Sequence, residues 1–485
     1  MNYISTRGLS APVNAEEAII NGLASDGGLY VPERIPQFTA EELQMLKALS
    51  YTETALLVLK KYLDGFDEAE LRSCIEEAYS AFDADDPAPL TALSNGLYVL
   101  ELWHGPTCAF KDMALQLMPR LLSLCRQKVG MSDELHILVA TSGDTGKAAL
   151  EGFRDVPGTR ITVFYPRDGV SMMQKAQMVT QRGENVCVCA VNGNFDDAQT
   201  AVKTVFADRS LVQKLQDAGT RLSSANSINW GRLLPQIVYY VRTAFRVYDG
   251  EPVSFAVPTG NFGNILAAYY AKRMGAPIGR LLCASNENNV LTDFITTGCY
   301  DRRRPLHKTI SPSMDILVSS NLERLLYHLS GSESVCVWME SLKTYGCYTV
   351  PADVLDALHT DFDAIWCSDD EARAMIADTY KKYGYLIDTH TAVAMYAASH
   401  VRLTSQTVVV STASPFKFAR DILTALGEET DDDGFDALDK LSKVSGLAVP
   451  HTLAKLSHLM VRFTETVDPQ NTGEFLISKF CAAHN

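Results

Sequence analysis

Lys111 stands in His104-Gly105-Pro106-Thr107-Cys108-Ala109-Phe110-Lys111-Asp112, a turn-rich apolar stretch that offers little reason for a solvated lysine. Burial disfavours the ammonium form and lowers its pKa, which leaves an amine able to form a Schiff base with a carbonyl. The same nine residues also read as a lysine snorkelling at a helix start, the ordinary state of most lysines. The residues that separate the two readings lie downstream.

Pro258-Thr259-Gly260-Asn261-Phe262-Gly263-Asn264 follows an apolar strand pattern and precedes a helical one. Strand, glycine loop and helix start together hold phosphate, because free backbone amides and the positive end of the helix dipole face the ligand. Thr141-Ser142-Gly143-Asp144-Thr145-Gly146 occupies the same kind of position, as a cradle for carboxylate or phosphate. Ser224 to Arg232 gathers amides and hydroxyls, including Asn226 and Ser227, ahead of a guanidinium whose planar fork matches a dianionic phosphate. Ser411-Thr412-Ala413-Ser414-Pro415-Phe416-Lys417 adds a hydroxyl and an ammonium. Taken alone, each loop also has an ordinary reading as a glycine turn or a helix cap. A ligand with an aldehyde and a phosphate would use all of them together.

Other chemistries lack their residues. Gly146-Lys147 is not a Walker loop, since Thr141 stands where its first glycine is required and Ala148 where a hydroxyl must bind magnesium. There is no G-x-G-x-x-G fingerprint, G-x-S-x-G elbow or H-E-x-x-H helix, and the 11 cysteines form no C-x-x-C pair, so no metal site is expected.

The elements that must position these loops alternate. Strand patterns at His136–Ala140, Ile161–Tyr165, Asn185–Val191, Val253–Val257 and Thr407–Val410 are separated by helical ones, which predicts parallel sheets with helices on both faces. Such sheets bind ligands beyond the carboxyl ends of their strands, where these loops fall. Residues 1–95 read as a mainly helical N-terminal domain, with helices over Ala15–Leu23, Ala40–Leu63 and Asp67–Phe82. Residues 96–430 follow as a catalytic core with a smaller lobe at about 141–225, and 431–485 as a C-terminal segment without assignment. Phe195–Leu215 reads as one helix.

The chain of 485 residues is 47% hydrophobic and carries a formal charge of -15, a soluble composition that argues against nucleic acid or an anionic membrane as partner. No leader pattern and no apolar run near the ~18 residues of a membrane span is evident, so a cytoplasmic protein is expected.

Taken together these segments resemble the threonine synthase family, pyridoxal-phosphate enzymes of the tryptophan-synthase-β-like fold (fold type II). HGPTCAFKD, TSGDTG, SANSIN followed by Arg, PTGNFGN and STASPFKF occur in the family's order, and Tyr3–Gly8 with Gly22–Pro32 resembles its N-terminal domain. Ser313-Met314-Asp315-Ile316 and Asp388-Thr389-His390-Thr391-Ala392-Val393 resemble two further family segments, although Thr389 replaces an expected proline. The resemblance implies a fold of two parallel-sheet lobes plus the helical N-terminal domain, with pyridoxal 5'-phosphate in Schiff-base linkage to Lys111. It implies cofactor contacts from Gly260, Asn261, Phe262, Gly263, Asn264 and Thr412, the last facing the pyridine nitrogen. Ser142, Gly143, Asp144 and Thr145 would hold the substrate carboxylate, and Asn226, Ser227, Arg232 and Lys417 the substrate phosphate. Asp144 departs from the asparagine that many relatives of this fold place beside the cofactor's phenolic oxygen, where two anions repel unless a proton is shared.

The implied reaction turns O-phospho-L-homoserine and water into L-threonine and phosphate, the last step of threonine biosynthesis, in a monomer or homodimer. A phospho-lyase releasing 2-oxobutyrate would use the same loops, and a non-catalytic ligand-binding protein of the same fold is the alternative from another class.

Overall fold

The computed structural model describes residues 1–485 except 142, 168–169, 402, 404–405, 431–433 and 481–485. Two sheets organise it. The larger has six strands in the order Phe362–Trp366, Ile278–Ser285, Val253–Pro258, Thr407–Ser411, Leu97–Glu101 and Leu90–Ser94. All neighbours run parallel except the last pair, where Leu90–Ser94 returns as an antiparallel edge. The smaller sheet is wholly parallel, in the order Thr466–Val467, Val186–Val191, Thr159–Pro166, Glu134–Ala140 and Thr220–Ser223. The architecture is the doubly covered α/β arrangement expected from the alternation, and only the antiparallel edge departs from it.

Both faces of the large sheet are covered because its central strands carry apolar residues on both sides. Val408 and Val410 enter one buried cluster with Phe255, Val257, Leu281 and Cys283, whereas Val409 enters another with Ala256, Leu282 and Ala284. Side chains alternate across a strand, so a continuous apolar run must be covered twice. Helices Trp230–Val247 and Gly263–Arg273 supply the first cover, and Asp369–Tyr383 and Thr389–His400 the second.

The N-terminal residues form helices Ala15–Asn21, Ala40–Met45, Tyr51–Tyr62 and Glu68–Tyr79, and strands Tyr3–Ser5 and Tyr30–Pro32 pair antiparallel. Ala40–Leu63 is therefore two helices rather than one. Ser50 accepts a hydrogen bond from Glu53 N–H while the Glu53 carboxylate accepts from Ser50 N–H, a capping box that starts a new helix. Phe195–Leu215 divides likewise. Asp208 ends Phe195–Ala207 and its carboxylate accepts from Ser210 and Leu211 N–H to begin Arg209–Asp217.

The C-terminal residues touch both sheets. Helix Phe435–Ser445 sends Ala437, Leu438 and Leu441 into the second cluster of the large sheet. Thr466–Val467 then pairs with Val186–Val191, and Leu476 of helix Thr472–Phe480 covers the outer face of the small sheet beside Leu138 and Phe164.

Candidate active site

A cavity of about 520 Å³ opens at the carboxyl ends of the two sheets' strands. Its wall includes Lys111, Asp144, Thr145, Asn226, Ser227, Arg232, Gly260 to Asn264 and Thr412, so the structure brings most of the sequence candidates to one place. Gly143 and Lys417 do not line it, and Ser142 lies outside the described residues.

The turn before Lys111 folds around Asp112. Its carboxylate accepts from Thr107 N–H at 2.7 Å and from the Thr107 hydroxyl at 2.9 Å. A side chain at Gly105 would meet the Asp112 Cβ at 2.4 Å, so the turn closes only over glycine. Phe110 N–H then donates to Thr412 O at 2.8 Å, and Ala109 pairs with Ala413. Lys111 is thereby tied to the loop that carries Thr412, at the first residue of helix Lys111–Leu115.

Lys111 Nζ donates to Ser313 Oγ at 3.1 Å and lies 3.8 Å from Asp144 Oδ2. Burial pushes its pKa down to about 8; Lys417 and Arg232 push the same way, while Asp144 and Asp112 oppose. An amine that releases its proton near neutrality is what imine chemistry and general-base catalysis need.

Asp144 begins helix Asp144–Phe153, directly after strand Glu134–Ala140 and the threonine loop. Thr141 Oγ1 draws that loop in by accepting from Gly143 N–H at 3.0 Å and Gly146 N–H at 2.9 Å. Despite burial, the Asp144 carboxylate is held well below the usual range by the ammoniums of Lys417 and Lys111. The two-anion conflict expected at this position is therefore met by a neighbouring cation.

The phosphate-type loop follows strand Val253–Pro258 and opens helix Gly263–Arg273, whose first residues carry no side-chain cap. Phe262 sits in the left-handed region at φ 62°. Ser319 Oγ donates to Gly260 O at 2.8 Å, and a Cβ on Gly260 would lie 2.9 Å from Ser313 O. Asn264 Oδ1 accepts from the hydroxyls of Tyr239 and Tyr240, whereas its buried Nδ2 has no protein partner among the described residues.

Arg232 stands one turn into helix Trp230–Val247, which Asn229 caps by accepting from Gly231 N–H. It is only 3% exposed. One nitrogen donates to Ala225 O at 2.7 Å, Nε is unpartnered, and no carboxylate among the described residues pairs with it. Burial alone pulls its pKa down to about 10. A guanidinium left thus in a cavity wall is a site for an incoming anion.

Residue types alone did not single out Ser313 or His390. Ser313 N–H donates to His390 Nε2 at 3.2 Å, and His390 Nδ1 lies 3.0 Å from Asp388 Oδ1, which orients the imidazole. Both stand in segments that carried the family resemblance, the only signal that pointed to them. Gln174, also in the wall, donates to Asp144 Oδ1 at 3.3 Å; its sequence signal was the capping box with Ser171.

An apolar-flanked amine, an uncapped helix start with an orphaned amide beside it, and a guanidinium without a carboxylate partner suit a cofactor that carries an aldehyde and a phosphate. The match to known proteins agrees. The family described as pyridoxal-phosphate dependent enzyme covers residues 83–414, and threonine synthase N terminus covers 2–79. Threonine synthase of Pseudomonas aeruginosa is 43% identical over 426 residues, 86% of this chain and 89% of that protein. Human threonine synthase-like 1 is 44% identical over 430 residues, 84% of this chain and 58% of that protein. Crystal structures of PLP-bound threonine synthase from Brucella melitensis and of the yeast enzyme superpose with TM-scores of 0.90 each, at 38% and 35% identity, over 99% of both chains. Fold and site thus define a pyridoxal-phosphate-dependent lyase. The chain belongs to the threonine synthase family.

Proposed function

We propose that the chain converts O-phospho-L-homoserine and water into L-threonine and phosphate. The observation that carries this reading is the shared cavity of Lys111 and Arg232: a lysine amine with a pKa of about 8 and a buried guanidinium without a carboxylate. The first suits a cofactor aldehyde and the second a substrate phosphate.

When bound, pyridoxal phosphate supplies an aldehyde carbon for Lys111 and a conjugated ring that takes up charge developing on substrate carbon. Its phosphate is held by the amides of Gly260, Asn261, Phe262 and Gly263 and by the Asn264 amide group, with the helix dipole behind them. Thr412 offers a neutral hydroxyl to the ring nitrogen. Thr145, in the cavity wall at the start of the helix that Asp144 opens, holds the substrate carboxylate. Asn226, Ser227 and Arg232 hold the substrate phosphate and fix the far end of the molecule, so that the carbons between lie beside the Lys111 amine. Lys111 Nζ removes the α-proton and returns protons further along the chain. The departing phosphate stays paired with Arg232 while water adds.

Borohydride reduction followed by peptide mapping tests the attachment: the pyridoxyl label falls on Lys111, and Lys111→Ala loses both colour and turnover. Product analysis with O-phosphohomoserine tests the reaction. Threonine and phosphate in equal amounts are expected, whereas 2-oxobutyrate in excess of threonine would replace the synthase with a phospho-lyase.

A further inference from the structure

A second lysine is buried beside the first. Lys417 Nζ lies 2.7 Å from Asp144 Oδ1 and donates to Thr107 O at 3.1 Å. The other carboxylate oxygen of Asp144 lies 3.8 Å from Lys111 Nζ. One carboxylate is therefore shared by two ammoniums, and it sits closer to the one that does not line the cavity.

A lone carboxylate at 3.8 Å would favour the protonated form of Lys111 and so oppose its work as nucleophile and base. Lys417 changes that balance by direct contact with the carboxylate and by adding a second positive charge nearby. The groups that face Lys111 are Asp144, Lys417, Arg232, Asp112 and the Ser313 hydroxyl. Those that face Asp144 are Lys417, Lys111, His390 and Gln174. His390 is itself matched by Asp388. Within this set Lys417 is the group in closest contact with Asp144. Its side chain is buried and its backbone N–H donates to Ser414 O.

We propose that Lys417 is a positioning residue that engages Asp144, keeps that carboxylate from retaining the proton on Lys111, and so sets the pH above which the Lys111 amine reacts. This rests on Lys111 being the amine that receives the cofactor aldehyde. It also accounts for an aspartate beside the reactive lysine, a position where an uncompensated anion would be a handicap.

The full-length protein, cleared of cofactor with hydroxylamine, is mixed with pyridoxal phosphate across a pH series. Imine absorbance is followed, and the product is reduced with borohydride and mapped. In Lys417→Met the midpoint for imine formation rises by about one pH unit, so that below it the reaction at fixed pH is about tenfold slower. Lys417→Arg keeps the charge and stays near the parent midpoint. Should the unpaired carboxylate prevent Lys417→Met from folding, Asp144→Asn is compared with Asp144→Asn/Lys417→Met. In the single variant Lys417 repels the Lys111 ammonium and the midpoint falls below the parent value; removing Lys417 as well brings it back up. Equal midpoints in the parent and Lys417→Met, or in the single and double variants, with the label still on Lys111, would overturn the proposal and leave Lys417 a structural residue. A label on another lysine would instead remove the underlying assignment of Lys111.

Discussion

A guanidinium buried without a carboxylate contributes little to stability and costs desolvation, and Arg232 is held in that state by its helix and by Ala225 O. Replacing it with methionine is expected to leave the melting temperature of the cofactor-free protein unchanged or higher. The same change should raise the KM for O-phosphohomoserine by about 10- to 100-fold, the loss of one or two charge-assisted hydrogen bonds. Lys111 carries a comparable cost. Its folded pKa of about 8 lies below the ordinary 10.5, so between those values the unfolded chain binds the extra proton and stability rises with pH. Below about pH 8 the full penalty, about 3 kcal/mol, is present. Lys111→Met without cofactor should therefore melt above the parent at pH 7, by a margin that closes as pH rises from about 8 to 10.5. At this scale the sequence pointed to residues that could react only through the order of several loops around Lys111, since the lysine and each loop have ordinary structural uses when taken alone. It did not show what shares their charge: the contacts of Asp144 with Lys417 and of Ser313 with Lys111 join residues 273 and 202 positions apart, distances that no periodicity spans.

Two helices hold Lys111 and Asp144 at a fixed separation. Helix Lys111–Leu115 and helix Asp144–Phe153 approach so closely that a Cβ on Gly152 would lie 1.8 Å from Leu115 O. Gly152→Ala would wedge them apart. It is expected to lower stability by about 2 kcal/mol or more and to shift the absorbance of the bound cofactor, a pairing that thermal melting and visible spectroscopy can read together. The strand, loop and helix order around Thr141–Gly146 and Pro258–Asn264 was legible because apolar runs and glycines mark it locally. Helix breaks at Leu46–Ser50 and at Asp208 were less so. Their apolar periodicity runs on across the break, and only the caps at Ser50 and Asp208 divide it. Leu90–Ser94 was missed as an edge strand because its direction follows from pairing with Leu97–Glu101, a tertiary fact.

The whole molecule places the two proposed ligand loops on different sheets. Gly260–Asn264 hangs from the large sheet and Thr141–Thr145 from the small one, and the C-terminal residues pack on both. Ending the chain after Leu459 would remove the edge strand Thr466–Val467 and uncover Leu138, Phe164 and Cys189. Such a protein is expected to keep cofactor absorbance while its KM for O-phosphohomoserine rises about tenfold or more, since small displacements of a positioning loop are costly. Parallel kinetics and absorbance titrations would separate the two effects. That edge strand also sets a timetable for biosynthesis. Its partner Val186–Val191 is made about 275 residues earlier, so at ribosomal rates its outer backbone waits unpaired for roughly 15–55 s. Val-Cys-Val-Cys-Ala-Val carries no charge, and an exposed strand of that kind templates pairing with other chains. Nascent protein should therefore need chaperone cover most during its last stretch of translation, and a chain ended after Leu459 should yield less soluble enzyme than the full chain.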